Sequence, residues 1–349
     1  MEILRNPYFG RPDSPQGLVG IPFPSTDAGA PMRLLERCPA AGETPLVEVP
    51  VVAARCGVAR VWIKDERARM GLGSFKALGA AYVIAHDAQS ESLANVTYVT
   101  ASAGNHGMSV AAGAQAFGAR AVVYISETVS DGFASRLARQ GAAVVREGET
   151  YEASMAAAAR AAEMNGWRLL SDSSWPFYTE RPHRLMEGYL VLMAEAIRQL
   201  PEPPTHLFLQ AGVGGLAASV AALAREAWDE SLRISVVEPA AAQAIRGSIL
   251  AGKPQETKGP VSAMGRLDCK EPSLIALKGL ARDATDFIAI TEEEGQAGAD
   301  KAARIGLAST PSGAAGLAGL LAGAEGHRGE LGLDAGSRVL LILSEGSEG

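Results

Sequence analysis

The chain has 349 residues, 47% hydrophobic and 20% charged, with a net charge of −7. That length suits two domains of an ordinary soluble protein, and the acidic balance argues against nucleic acid or an anionic membrane, either of which would need a basic patch. No apolar run approaches the roughly 18 residues of a membrane-spanning helix, and Met1–Gly20 mixes charges, prolines and glycines without the apolar core of a secretion signal.

Residues 1–43 read as an irregular lead-in rich in proline and glycine. After it, short apolar runs alternate with alanine-rich helical stretches. Strands are expected at Val61–Ile63, Thr97–Thr100, Ala121–Ile125, Ala143–Val145, Leu169–Ser171, His206–Leu209, Ile234–Val237, Phe287–Ile290 and Val339–Leu343. Helices are expected between them at Ala77–Ala88, His106–Phe117, Gly132–Gln140, Tyr151–Asn165, Arg184–Leu200 and Leu216–Trp228. This alternation predicts βα units and parallel sheets covered on both faces, an α/β protein. With no linker in sight, a smaller domain at 80–165 is expected to be inserted in a larger one made of 1–79 and 166–349. Cys38, Cys56 and Cys269 are odd in number and widely spaced, which suits a reducing, cytoplasmic compartment and buried thiols, with no disulfide framework and no metal site.

Four short segments carry chemistry. In Gly71-Leu72-Gly73-Ser74-Phe75-Lys76, a lysine stands at the mouth of a strand–loop–helix unit behind two glycines, placed to form a Schiff base. Alone it reads as a solvated surface charge, as most lysines are. In Ala101-Ser102-Ala103-Gly104-Asn105-His106-Gly107, backbone N–H groups and a hydroxyl gather at a helix start, which suits a carboxylate. The structural alternative is a capped loop, with His106 packed rather than catalytic. Ala211-Gly212-Val213-Gly214-Gly215-Leu216 follows a strand and opens a helix, so its amides and the helix dipole would favour a phosphate. A tight βα turn or a dinucleotide loop would use the same glycines, although the spacing is not Gly-x-Gly-x-x-Gly. Ser344 ends the strand Val339–Leu343 where α/β proteins bind ligands, with Thr310-Pro311-Ser312-Gly313 placed beside it.

Taken in order, these segments resemble the fold-type II pyridoxal-phosphate enzymes, the tryptophan synthase β family. Glu43-Thr44-Pro45-Leu46 and Lys64-Asp65-Glu66 add to the likeness, which runs from about residue 44 to the end. Within the family the chain is most similar to the diaminopropionate ammonia-lyases, through Met70–Lys76, Asp172-Ser173-Ser174-Trp175, Tyr178-Thr179, Met186-Glu187-Gly188-Tyr189 and Gln210–Gly214. The resemblance implies two three-layer αβα domains, a homodimer, and pyridoxal 5′-phosphate held by Lys76. Lys76, neutral when free because burial and the nearby iminium lower its pKa, would then serve as base at the substrate Cα. Gly212, Val213, Gly214 and Gly215 would hold the phosphate, Asn105 the ring hydroxyl oxygen, Phe75 the ring face and Ser344 the ring nitrogen. A neutral hydroxyl there would not keep that nitrogen protonated, which favours elimination over transamination. Ser102 and the amides of Ala103, Gly104, Asn105 and His106 would take the substrate carboxylate, and Asp172 would meet the leaving amino group; a turn or cap aspartate is the structural alternative.

Two departures stand out. The diaminopropionate enzymes carry an aspartate, base toward the D-isomer, where this chain has Ala103, so an L-substrate is expected. Thr310 stands where relatives commonly carry an acid. The reading is a lyase releasing ammonia and a 2-oxo acid from a small L-amino acid, with 2,3-diaminopropionate favoured. The alternatives are a serine, threonine or 3-hydroxyaspartate dehydratase, a β-replacing synthase of the cysteine synthase type, and a non-catalytic small-molecule binding protein.

Overall fold

The computed structural model describes residues 1–11 and 14–347. Its strands are β1 (Glu2–Arg5), β2 (Leu46–Glu48), β3 (Arg60–Asp65), β4 (Thr97–Ala101), β5 (Arg120–Ile125), β6 (Ala142–Arg146), β7 (Arg168–Leu169), β8 (His206–Gln210), β9 (Arg233–Pro239), β10 (Asp286–Ile290) and β11 (Arg338–Leu343). They form a seven-stranded sheet, β1-β10-β9-β8-β11-β3-β2, and a four-stranded sheet, β6-β5-β4-β7. Runs such as Val61-Trp62-Ile63 and Leu207-Phe208-Leu209 are apolar throughout because helices cover both faces, and these side chains are buried.

The pairing fixes where ligands can bind. β3, β11, β8 and β9 run parallel side by side, so the chain leaves β3, β8 and β11 on one edge of the sheet. The loops carrying Lys76, Gly212 and Ser344 therefore emerge together. In the smaller sheet β4 runs parallel to β5 and β7, which brings the segments after Ala101 and Leu169 to a common edge as well. Crevices outside the carboxyl ends of parallel strands are where open α/β sheets take ligands.

The lead-in is more ordered than expected. β1 pairs antiparallel with β10 and a helix forms at Gly29–Leu35, while β2 pairs antiparallel with β3 at the opposite edge. Edge strands of three or four residues, half-exposed, carry too little periodicity to show in a sequence. The run expected as a strand to Ser171 pairs only at Arg168–Leu169, because Tyr178 takes the next backbone groups: its hydroxyl donates to Leu169 O (2.9 Å) and accepts from Ser171 N (3.0 Å).

Helix Lys76–Asp87 lies against helix Glu180–Gln199 with little room between them. A Cβ on Gly188 would fall 2.6 Å from the Leu78 carbonyl oxygen, and one on Gly79 would fall 2.6 Å from Tyr189 Cε1. The lysine-bearing helix is thereby seated on a neighbour through backbone contact, which leaves it little freedom to slide.

Candidate active site

The loop before Lys76 is held by buried charge. β3 ends in Lys64 and Asp65, then a 3-10 turn (Glu66–Gly71) leads to Met70, Gly71 and Gly73, all at positive φ. Beneath it, Lys64 Nζ donates to Glu195 Oε2 and to Thr44 O, both at 2.6 Å. Arg69 pairs with Glu66 Oε2 (2.7 Å) and with Glu195 through both terminal nitrogens (2.9 and 2.7 Å). Lys64, Glu66 and Arg69 are sealed from solvent. Burial lowers the Lys64 pKa against the pull of Glu195; for Arg69 the carboxylates of Glu66 and Glu195 outweigh burial and hold it charged. The two cations and two carboxylates balance, so removing one strands its partners in an apolar setting. Arg69→Met is expected to cost about 3–5 kcal/mol in denaturant unfolding; a loss below about 1 kcal/mol would show that the cluster does not hold this loop.

Lys76 opens helix Lys76–Asp87, and its Nζ is in hydrogen-bonded ion-pair contact with Asp172 Oδ2. The sequence-based expectation that burial lowers the pKa of this lysine is met by the burial contribution alone. Burial does act in that direction, but the Asp172 carboxylate overrides it and raises the pKa. Asp172 moves the opposite way: burial would raise it, and Lys76, then His106, hold it well below the usual carboxylate range. The Nζ also lies 5.3 Å from the Phe75 ring centroid and 6.0 Å from that of Tyr189, while the two rings meet edge to face at 4.8 Å. Asp172 is placed by the turn behind it. Tyr178 pins the backbone on either side of Leu170 and stacks on Trp175 at 4.3 Å, and Ser174 bonds Ser273 Oγ at 2.8 Å. The carboxylate is thus aimed at Lys76 instead of capping the turn.

In the loop after β4, Ser102 Oγ accepts from the amides of Gly104 (3.1 Å) and Gly107 (3.0 Å). Two donors expected to face a carboxylate are therefore turned inside the loop: the Gly104 amide on Ser102, and the Ser102 hydroxyl on Gly104 O (3.4 Å). Asn105 and His106 begin helix Asn105–Ala116, where first-turn amides have no partner within the helix. His106 is buried. Its Nε2 lies 2.8 Å from Leu170 O, so that nitrogen carries the proton, and burial lowers its pKa. Ala103 is exposed and offers no group that titrates; its carbonyl accepts from Arg266 Nη1 at 2.9 Å. The Asn105 amide nitrogen donates to Glu345 Oε2.

Across the cleft, the turn after β8 has its left-handed residue at Gly214 (φ 97°), followed by the helix Gly215–Trp228. A Cβ on Gly212 would lie 3.0 Å from Cys269 Sγ and 3.2 Å from Arg266 O. This cradle is one that only glycine leaves open, with a helix N-terminus beneath it, and it fits a phosphate ester. Val213 is held there by Ser273 N on its carbonyl (3.0 Å). Ser344 is buried beside it; Gln210 Nε2 donates to its Oγ (3.0 Å) as well as to Gly313 O and Ile342 O. Since Ser344 Oγ is an acceptor toward Gln210, its own hydrogen is left to be donated. The amide of Phe75 bonds Ser344 O (3.1 Å), tying the lysine loop to this wall.

Several members of the site were given no role in the sequence. Tyr189 and Cys269 flank Lys76, and burial pushes the Cys269 thiol up to about 12. Gln210 was quoted only as part of a longer run. Arg266 and Glu345 gave no local signal, because their partners lie far away in the chain.

A family model described as pyridoxal-phosphate dependent enzyme matches residues 38–345. The diaminopropionate ammonia-lyase of Salmonella typhimurium is 33% identical to the chain over 346 residues, covering 87% of this chain and 85% of that protein. The protein of that name from Escherichia coli K12 is 30% identical, covering 82% and 76%. Among solved structures, the Escherichia coli enzyme in complex with D-serine superposes with a TM-score of 0.89 at 28% identity, covering 99% of this chain and 93% of that one. The same enzyme with an aminoacrylate–pyridoxal-phosphate reaction intermediate gives 0.87, at the same identity and coverage.

Proposed function

This chain belongs to the pyridoxal-phosphate dependent enzymes, and from that premise we propose that it is an ammonia-lyase converting L-2,3-diaminopropionate to pyruvate and two ammonia. The observation that carries this reading is the contact between Lys76 Nζ and the Asp172 carboxylate, next to a glycine cradle and a serine hydroxyl. When bound, pyridoxal 5′-phosphate supplies the electron sink for the pair left behind when Cα loses its proton.

The chain's own groups divide the remaining work. The amides at Gly212, Val213, Gly214 and Gly215 would hold the phosphate, Phe75 would flank the ring and Ser344 Oγ–H would face the ring nitrogen. Asn105 would face the ring hydroxyl oxygen. The first-turn amides of Asn105 and His106 would orient the substrate carboxylate, in a loop whose shape Ser102 sets. Lys76 Nζ would hold the cofactor, and as a neutral amine the same atom would take the Cα proton. Asp172 holds the β-ammonium group so that nitrogen departs as ammonia with its proton in place. Because Lys76 is the one base assigned at Cα, the stereochemistry is one-sided. We further read the protein as a cytoplasmic homodimer; among the described residues no helix is long and apolar enough to cross a membrane.

The test is a release assay with purified, cofactor-loaded protein. L-2,3-diaminopropionate should give two ammonia per pyruvate, with the D-isomer at least about a hundredfold slower, the loss typical when a positioned base is missing. Comparable rates on the two isomers would overturn the assignment of Ala103 as an inert position. Faster oxo-acid release from L-serine or L-threonine would make the protein a dehydratase; oxo acid appearing only at trace level until a nucleophile is added would make it a synthase; no turnover at all would leave a binding protein.

A further inference from the structure

The residue after Ser344 is an acid taken almost wholly out of water. Glu345 is 5% exposed. Its Oε2 accepts from the Asn105 amide nitrogen and its Oε1 accepts from the Thr310 hydroxyl. Arg266 Nε lies 3.8 Å from Oε2. The same arginine reaches Ala103 O, and its own amide bonds Ser312 Oγ at 3.1 Å. Ser309 Oγ holds the Glu345 carbonyl at 2.6 Å. A buried carboxylate is costly unless it is paired and hydrogen-bonded, and here each oxygen has a donor and a cation stands close by.

Two consequences follow from those contacts. Asn105 belongs to the loop of the four-stranded sheet and Glu345 follows the last strand of the seven-stranded sheet, so the bond spans the cleft. A carboxylate only accepts, so the Asn105 amide must turn its nitrogen toward residue 345 and its oxygen away, which leaves the second N–H for another acceptor. Moreover, the group donating to Oε1 is the Thr310 hydroxyl.

We propose that Glu345 is a positioning residue. It fixes the Asn105 amide with a hydrogen toward the cofactor's ring oxygen and places a negative charge there from the end of the last strand, with the Thr310 hydroxyl holding its other oxygen. This rests on the reading of Asn105 given under Proposed function.

The test uses the full chain stripped of cofactor and titrated with pyridoxal phosphate, followed by a pH titration of the visible absorbance of the loaded protein; neither measurement needs turnover. Glu345→Gln keeps the shape and removes the charge. It is expected to weaken cofactor binding about tenfold, the effect of losing a charge-assisted hydrogen bond. The absorbance midpoint is expected to fall by about one pH unit, because a nearby negative charge favours the protonated form of the bound cofactor and that charge is gone. Thr310→Ala, which leaves the acid in place, should move both readings the same way by less. The double variant should be no worse than Glu345→Gln alone, since both act through one contact. An unchanged midpoint and affinity in Glu345→Gln, even with a lower melting temperature, would reduce Glu345 to a structural acid and overturn the proposal; fully additive effects in the double variant would also overturn it. Wild-type protein that binds no pyridoxal phosphate would instead bring down the reading of the site, and this proposal with it. Where Glu345→Gln does not fold, Thr310→Ala decides: a shifted midpoint supports the proposal and an unshifted one overturns it.

Discussion

Lys76→Ala is expected to abolish the borohydride-reducible lysine adduct and to lower turnover of L-2,3-diaminopropionate by about 10⁴-fold or more, since the proposed mechanism has one atom carry the cofactor and then serve as base. Peptide mapping after reduction reads the first effect. An adduct persisting at another lysine would move the site elsewhere. The partner of Lys76 sharpens the expectation for the wild type. Asp172 outweighs burial and keeps the ammonium protonated, yet only the neutral amine attacks an aldehyde. Cofactor uptake by the stripped protein should therefore quicken as pH rises toward the elevated pKa of this lysine, since deprotonation supplies more of the nucleophile. A rate that falls with rising alkalinity would contradict this coupling.

Asp172→Asn is expected to reduce turnover by about 10²–10³-fold while leaving equilibrium affinity for the cofactor within a few fold. The carboxylate is the charged group beside Lys76 Nζ, so its loss removes the group proposed to hold the β-ammonium. The same substitution removes what raises the lysine's pKa, leaving burial to lower it. The variant should then take up cofactor faster than wild type near neutrality while turning over substrate more slowly. This opposite movement separates a role at the reacting atoms from simple damage to the fold. Turnover equal to wild type would return Asp172 to the status of a turn residue.

What a sequence makes legible here is what is written locally. The parallel strands announce themselves because burial on both faces makes runs such as Leu207-Phe208-Leu209 continuously apolar. The cradle at Gly212–Gly215 is legible because close approach at Gly212 and positive φ at Gly214 demand glycine there. Lys76 is legible from its place between a strand and a helix. The resemblance pointed to Asp172, but its bond to Lys76 joins residues 96 positions apart. Glu345 and Asn105 are 240 apart and Gln210 and Ser344 are 134 apart. No pattern within a window of one helix or strand encodes such pairs; strand order alone brings them together. β1 and β2 were missed for the opposite reason: they are local but too short and too exposed to differ from loop. The reversal at Lys76 has the same origin as the missed pairs, because a pKa is set by whichever charge the fold delivers, and burial was the part that could be inferred in advance.

The charge cluster beneath the lysine loop also bears on the conditions in which the protein can work. Mobile ions weaken pairs that face the solvent, but they do not enter a compartment that water itself does not reach. Lys64, Glu66 and Arg69 lie in such a compartment, whereas Arg60–Glu48 and Arg160–Glu147 lie at the surface. Brine would thus fade the decorations on the outside and spare the clasp within, so the seat of Lys76 is insulated from swings in ionic strength.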